Sequence, residues 1–187
     1  MNSDIKFYIV TSEAIENESI LEKMLTLICQ NKAVVNKFNN VYCVSGVKNE
    51  GFSKLVNCIK PLKNDLKLDY LSLVVVPCFH EAFIDLLDVK DTKVYYLFDL
   101  IVEKNSSGNL NVDSLKVLFN KIPDNILQTI KQYINFNQSI ICTSEAMFTH
   151  RNTINYRLNK FIQLTGINIR ETNSAMTIYL LFKLLNI

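Results

Sequence analysis

The stretch from Phe148 to Gly166 constrains the fold of this 187-residue chain more than any other segment. Its apolar residues recur with the period of a helix that is buried on one side; they are Ile154, Leu158, Phe161 and Ile162. Polar residues occupy the opposite side, and Gly166 suits the left-handed conformation that often follows a helix. Thr149 is expected to cap this helix at His150. The pattern predicts an amphipathic helix over residues 150–163 with an exposed polar face.

The arginines of the chain are confined to this helix and its exit. All three arginines lie within twenty residues of one another; they are Arg151, Arg157 and Arg170. The remaining Lys/Arg positions of the chain are all occupied by lysine. The planar guanidinium group fits phosphates and guanine edges. Upstream, residues 139–147 are predicted to form a helix of about two turns, separated from the next helix by a tight corner. Two such helices, with the second basic on its outer face, are typical of a helix-turn-helix that binds DNA.

Residues 126–185 resemble the C-terminal helix-turn-helix domain of the PucR/CdaR family of bacterial transcription regulators. The run from His150 to Leu158 (HRNTINYRL) matches the family pattern H-x-N-T-v-x-Y-R-L, and residues 164–166 match its L-T-G. Ser144 stands where the family usually has alanine. The resemblance implies a DNA-binding regulator in which the preceding domain serves dimerisation or sensing.

The predicted helix contains the candidate DNA-binding residues. The first turn of a recognition helix usually reaches base edges, and arginine and asparagine pair bidentately with guanine and adenine. Arg151 and Asn152 are therefore the predicted base-reading residues. Later side chains are better placed for phosphates. The full predicted set is His150, Arg151, Asn152, Thr153, Asn155, Tyr156 and Lys160.

Arg157 lies nearer the apolar stripe than the polar face, so two roles stay open for it. It contacts a phosphate, or it braces the motif internally through Glu145.

The first 121 residues predict alternating strands and helices. Residues 34–38 and 41–44 flank Asn39-Asn40, a two-residue hairpin signal. The helix expected from Ser12 to about Asn31 should turn Ile15, Ile20, Leu21, Met24, Leu27 and Ile28 inward. The other predicted elements are strands at 5–10 and 70–77, helices at 51–62 and 80–87, a strand turning into a helix at 93–102, and a connecting helix at 111–121. This order predicts an α+β fold: a two-layer sheet domain (1–121) followed by an all-α helix-turn-helix domain (122–187).

The N-terminal order is similar to the degenerate GGDEF-like domain that precedes the helix-turn-helix in PucR/CdaR proteins. Active cyclases of that fold place their signature on the central hairpin. Here the hairpin has Asn39-Asn40, without a glycine pair or carboxylates to hold Mg²⁺ against a phosphate. Cys78 and His80 have the side chains of a nucleophile–base pair, but residues so near in sequence rarely have the facing geometry that such a pair requires. The chain is therefore predicted not to be an enzyme.

Charge differs between the two predicted domains. Residues 126–187 contain six Lys/Arg and two Glu, a net charge of +4, whereas the remainder contains 14 Lys/Arg and 16 Asp/Glu, a net charge of −2. The cationic excess belongs to the predicted DNA-binding segment. Because the excess is modest, a dimer is expected to be the DNA-binding form.

Cysteine usage and hydropathy exclude several other classes of protein. The five cysteines show no C-x-x-C spacing and only two histidines accompany them, which favours reduced thiols in the cytoplasm and no metal or cofactor. Asp4 and Lys6 interrupt the N-terminus, so no signal peptide is predicted. No apolar run is long enough to span a bilayer.

Two functions of different classes remain. The first is a homodimeric regulator that binds double-stranded DNA and responds to a small-molecule effector of unidentified chemistry. The second is an interaction or scaffold protein that keeps the fold without reading DNA. The apolar segment 175–185 is compatible with both, as core or as a partner contact. The intact run from His150 to Leu158 favours the regulator.

Overall fold

The computed structural model describes residues 4–15, 18–29 and 33–187. The chain divides into two compact units. The first comprises Met1–Phe79 and Leu86–Lys104, and the second comprises His80–Asp85 and Asn105–Ile187. The first contains a five-stranded sheet and the second is helical, so the predicted α+β class is confirmed. The division at residues 121 and 122 and the GGDEF-like character of the first part stay predictions.

The sheet of the first unit has the strand order β2-β3-β1-β4-β5. The strands are β1 (Ile5–Thr11), β2 (Val34–Phe38), β3 (Val41–Val47), β4 (Leu71–Val76) and β5 (Val94–Tyr96). The β4–β5 pair is parallel and the other pairs are antiparallel. The predicted β2–β3 hairpin is confirmed: Asn39 has φ +54°, a left-handed value that asparagine tolerates better than most residues.

Helices α1 (Glu18–Cys29) and α2 (Asn49–Asp65) pack against the sheet. The core there includes Phe7, Ile9, Leu21, Leu25 and Leu55, all fully buried. The two helices approach closely at Gly51, where an added Cβ would lie 2.6 Å from the carbonyl oxygen of Cys29. Glycine is the residue that this contact accommodates.

The predicted first helix needs two corrections. It begins at Glu18 and not at Ser12, and Asn31 lies outside the described residues. Ile20 and Leu27 do not face the core, since they are 46% and 78% exposed. The buried stripe of α1 follows Leu21, Leu25 and Cys29 at intervals of four residues, and at about 100° per residue Ile20 and Leu27 fall on the side of the helix that faces away from it.

The remaining elements of the sheet region follow the predicted order. The short helix predicted at residues 80–87 is a 3₁₀ helix (Glu81–Leu87), and β5 continues directly into α3 (Leu97–Ser106). The strand-to-helix transition predicted at 93–102 is thus confirmed.

The second unit contains α4 (Val112–Lys116), α5 (Asp124–Asn135), α6 (Ile140–Ala146), α7 (Arg151–Thr165) and α8 (Thr172–Leu185). Its core includes Ile130, Ile154, Leu158, Phe161 and Ile178, all fully buried. The rings of Phe119 and Phe182 lie 5.4 Å apart, so the segment after α4 packs on α8. The helix predicted at 111–121 is shorter, because after Lys116 the chain turns through i→i−3 hydrogen bonds.

Among the residues that the structure describes, neither a membrane-spanning helix nor a metal-binding group of side chains is found. None of their helices has the length and apolarity to cross a bilayer. No three His, Cys, Asp or Glu side chains among them form a group that could hold a metal ion.

Candidate nucleic-acid interface

Helices α6 and α7 are joined by a turn with a defined hydrogen-bond pattern. The N–H of Phe148 donates to the carbonyl of Glu145 (3.1 Å), and that of Thr149 donates to the carbonyl of Ser144 (2.9 Å). This pair of bonds is a Schellman motif, which requires a left-handed residue at its penultimate position. That residue is Phe148, with φ +48°. Its side chain is 98% exposed, so the turn projects an aromatic ring away from the protein.

The cap of α7 is His150, and the prediction of Thr149 as the cap was wrong. His150 Nδ1 accepts the backbone N–H of Asn152 at 3.2 Å. The Thr149 hydroxyl instead donates to the carbonyl of Met147 at 2.9 Å. The reason is that Thr149 belongs to the Schellman turn, so the first capping position falls one residue later.

Helix α7 has the predicted amphipathic character. Ile154, Leu158 and Phe161 are fully buried, whereas Ile162 is half-buried. Gly166 ends the helix with φ +73°, as predicted, and its N–H donates to the carbonyl of Ile162 at 2.8 Å. The side opposite the core is the polar stripe, which we define as Asn152, Tyr156, Asn159 and Gln163, all exposed.

The seven predicted DNA-binding residues all lie on α7 or its cap, but on different sides of the helix. His150, Arg151, Asn152 and Tyr156 are exposed, and Thr153, Asn155 and Lys160 are half-buried. Lys160 Nζ donates to Gln163 Oε1 at 3.1 Å. Asn155 Oδ1 accepts from Arg170 Nη2 at 3.4 Å. Two of the half-buried residues therefore make polar contacts beside the polar stripe.

Arg157 braces α7 internally. Its Nη1 donates to Thr129 Oγ1 in α5 at 3.1 Å, and the Thr129 hydroxyl donates to the carbonyl of Asn125 at 2.7 Å. Of the two roles left open for Arg157, internal pairing is the one observed, but its partner is Thr129 and not Glu145.

Arg170 was missing from the predicted set although it lies beside α7. It is exposed in the connection between α7 and α8, and its backbone N–H donates to Asn168 Oδ1 at 3.3 Å. Burial raises the pKa of Tyr133 in α5, and the charge of Arg170 partly offsets that rise. The confinement of all three arginines to residues 151–170 was the signal that could have identified Arg170.

Comparison with known proteins identifies the helical segment. Residues 126–184 match the family model of the PucR C-terminal helix-turn-helix domain. This segment is a PucR-type helix-turn-helix domain. The recognised resemblance is therefore confirmed for the C-terminal part of the chain.

Relatives of the chain include named regulators. The DNA-binding transcriptional activator AdeR of Bacillus subtilis is 27% identical over 109 residues, which cover 57% of this chain and 26% of AdeR. The carbohydrate diacid regulator of Escherichia coli is 33% identical over 57 residues, 30% of this chain and 15% of that protein. An uncharacterized protein of Haemophilus influenzae is 28% identical over 136 residues, 63% of this chain and 37% of that protein. The chain thus matches less than two fifths of the length of each of these relatives.

The PucR-type domain keeps the charges of two arginines unneutralised. Arg157 and Arg170 donate to neutral oxygen atoms of Thr129 and Asn155. Within the described residues, neither forms an ion pair with a carboxylate. The exposed guanidinium of Arg170 therefore carries a full positive charge toward solvent, which suits a polyanionic partner.

Proposed function

We propose that this protein is a sequence-specific, DNA-binding transcription regulator of the PucR/CdaR type, acting as a homodimer with α7 in the major groove. The observation that carries the proposal is the polar stripe of α7. Asn152, Tyr156, Asn159 and Gln163 are exposed together on a helix whose other side is fully buried. The PucR-type family match over residues 126–184 supports it, as do the two relatives named as regulators.

The first turn of α7 carries the proposed base contacts. Arg151 and Asn152 are exposed, and their side chains present the donor and acceptor pairs that match guanine and adenine edges. His150 contributes a donor, because its Nδ1 accepts from the Asn152 backbone and the neutral ring then carries its proton on Nε2. That Nε2–H is available to a base edge or a phosphate.

Residues farther from the first turn make the proposed phosphate contacts. Lys160 lies more than two turns along α7, beside the polar stripe, where a groove wall would run. Thr153 and Tyr156 supply neutral polar groups near it, whereas Asn155 lies on the other flank of the stripe and holds Arg170. Such contacts set register and affinity but do not distinguish sequences.

Dimerisation is part of the proposal because the charge of one DNA-binding segment is small. A net charge of +4 over residues 126–187 allows few phosphate contacts per protomer. Two copies related by a twofold axis would double these contacts and read two half-sites. Residues 1–121 would serve dimerisation or effector sensing and carry no catalysis. The site of action would be the cytoplasm, where bacterial DNA lies.

A salt titration tests this function against the scaffold alternative. Fluorescence anisotropy with a labelled random-sequence duplex should show affinity that falls by orders of magnitude between about 50 and 200 mM salt, because counterions are released from the DNA. A scaffold protein should not bind the duplex even at the lowest salt. Selection from a pool of random duplexes should then enrich a twofold-symmetric site; enrichment of none would contradict sequence-specific binding.

A further inference from the structure

Lys160 and Arg170 lie on opposite flanks of the polar stripe. At roughly 100° per residue, Asn155 and Lys160 each project about 70° from the centre of the stripe, one on each side. Arg170 reaches the Asn155 flank from the connection between α7 and α8, with 3.4 Å between Nη2 and Asn155 Oδ1. The stripe therefore has one cation along each edge.

Both cations are oriented by neutral amides. Lys160 donates to Gln163 Oε1 and Arg170 donates to Asn155 Oδ1. A carboxylate in either place would cancel the charge, whereas an amide holds the side chain and leaves its charge intact. Arg170 has five N–H donors, so the bond to Asn155 leaves others for a second acceptor.

The acidic neighbour of Arg170 is engaged elsewhere. Glu171 Oε1 accepts from Asn168 Nδ2 at 3.0 Å, and Asn168 Oδ1 in turn accepts the backbone N–H of Arg170 at 3.3 Å. These bonds shape the connection around Arg170 while its guanidinium points to Asn155. The local structure thus presents a charged group beside α7.

We propose that Arg170 is a second phosphate anchor, contacting the wall of the major groove opposite the one that Lys160 contacts. A helix lying in the groove has a phosphate backbone along each side, and the two cations flank the stripe accordingly. Asn155 is a positioning residue that holds the guanidinium against α7. This inference rests on the proposed DNA-binding function.

The test compares variants of the full chain that each lose one positive charge. Binding to a random-sequence 24-base-pair duplex is measured by anisotropy over a range of salt concentrations. Arg170→Gln and Lys160→Gln should each lower the slope of log affinity against log salt by about one per protomer. The matched control is Lys183→Gln on α8, where the ammonium lies 5.3 Å from the centroid of the Tyr179 ring and lines a pocket to which α7 contributes no residue. That variant should leave the slope unchanged.

Each outcome separates this inference from the function on which it rests. If Arg170→Gln and Lys183→Gln give the same slope, Arg170 contributes only net charge and the anchor is wrong. If the wild-type protein shows no salt-dependent binding, the DNA-binding function itself is wrong.

The role of Asn155 needs a readout that general destabilisation would not move. Asn155→Ala should weaken duplex binding about threefold in the wild-type background and have no further effect in Arg170→Gln, since the two residues act as a unit. Equal losses in both backgrounds would overturn the positioning role.

If Arg170→Gln does not fold, Arg170→Lys replaces it. Its slope should match the wild type while its affinity falls about threefold, because an ammonium lacks the guanidinium fork; unchanged affinity would overturn the anchor.

Discussion

The guanidinium of Arg157 lies 3.1 Å from the hydroxyl of Thr129, although 28 residues separate them in the chain. The contact ties α7 to α5 on the side away from the polar stripe. Thr129 is fully buried and also donates to the carbonyl of Asn125, so its hydroxyl is satisfied as donor and acceptor. The orientation of the proposed recognition helix therefore depends on an interaction within the protein.

A double-mutant cycle on Arg157 and Thr129 should reveal this bracing. Arg157→Ala and Thr129→Val should show a coupling energy of about 1 kcal/mol in the free energy of unfolding, because a charge-assisted hydrogen bond is lost once and not twice. Urea denaturation of the wild type, both single variants and the double variant measures it. Additive effects would show that the contact contributes nothing to stability.

Arg151 should discriminate between sequences, and Lys160 should not. Arg151→Ala is expected to cost roughly 1–3 kcal/mol on a selected site and much less on random duplex, because a bidentate base contact is lost. Lys160→Ala should weaken both DNAs alike. Affinities for both DNAs at two salt concentrations decide the matter. Equal losses on both DNAs for Arg151→Ala would assign Arg151 to phosphate contact. The same comparison with Asn152→Ala tests the second base reader.

Phe148→Gly should stabilise the protein. Phe148 has φ +48°, a conformation that costs an L-residue more than it costs glycine, and its ring is 98% exposed, so little packing is lost. Relief of the left-handed strain stabilises the folded state, whereas the greater flexibility of glycine stabilises the unfolded chain. The net effect should be a rise of about 0.5–1 kcal/mol in the free energy of unfolding. Phe148→Ala is the matched control and should give no such gain. Destabilisation by Phe148→Gly would mean that the ring packs against the protein in solution.

Cys142 and Cys78 should differ sharply in reactivity. Cys142 is exposed on α6, whereas burial raises the pKa of Cys78 to about 11, an effect that the charge of Lys6 only partly offsets. At pH 8 the thiolate of Cys78 should then be a minor species, on the order of a thousandth, and it is also shielded from solvent. Iodoacetamide labelling followed by peptide mass spectrometry should modify Cys142 first. In the Cys142→Ser variant the rapid part of the labelling should be absent. Equal labelling rates at Cys142 and Cys78 in the native protein would contradict the described burial of Cys78.

Limited proteolysis should cut first between Asn105 and Asn109. All five residues there are exposed, and a Cβ added at Gly108 would have no atom within 4 Å. The Pro123 junction should be cut later, because Ile122 is buried and Phe119 packs against Phe182. Mass spectrometry of early fragments measures the order. Early cleavage within residues 66–77 would contradict the division into two separable units.

Residues with strong backbone preferences made parts of the structure predictable from sequence. Asn39 and Gly166 both adopt the left-handed conformation their types favour, so the hairpin and the end of α7 were placed correctly. The period of apolar residues likewise placed the buried side of α7. The predicted contact residues follow from the same pattern, and their roles at DNA stay predictions.

The misplaced features depend on tertiary structure or on unusual backbone geometry. A left-handed phenylalanine is not indicated by residue preference, so the cap of α7 was placed one residue too early. Leu27 is apolar but exposed, because which apolar residues of a helix are buried depends on what packs against it. Arg157–Thr129 and Arg170–Asn155 join residues far apart in the chain, and periodicity within one helix does not reveal such pairs.

The close approach of α2 to Cys29 has an evolutionary consequence. Because a Cβ at Gly51 would lie 2.6 Å from a carbonyl oxygen and 2.9 Å from a Cα atom, both of the main chain, rotation of a side chain offers no relief. Homologues that pack these helices in the same way must retain glycine there. A homologue with any other residue at that position must hold its two helices farther apart, and its core must contain larger side chains to fill the gap. Substitutions at position 51 and in the surrounding core are therefore expected to occur together in the history of these proteins.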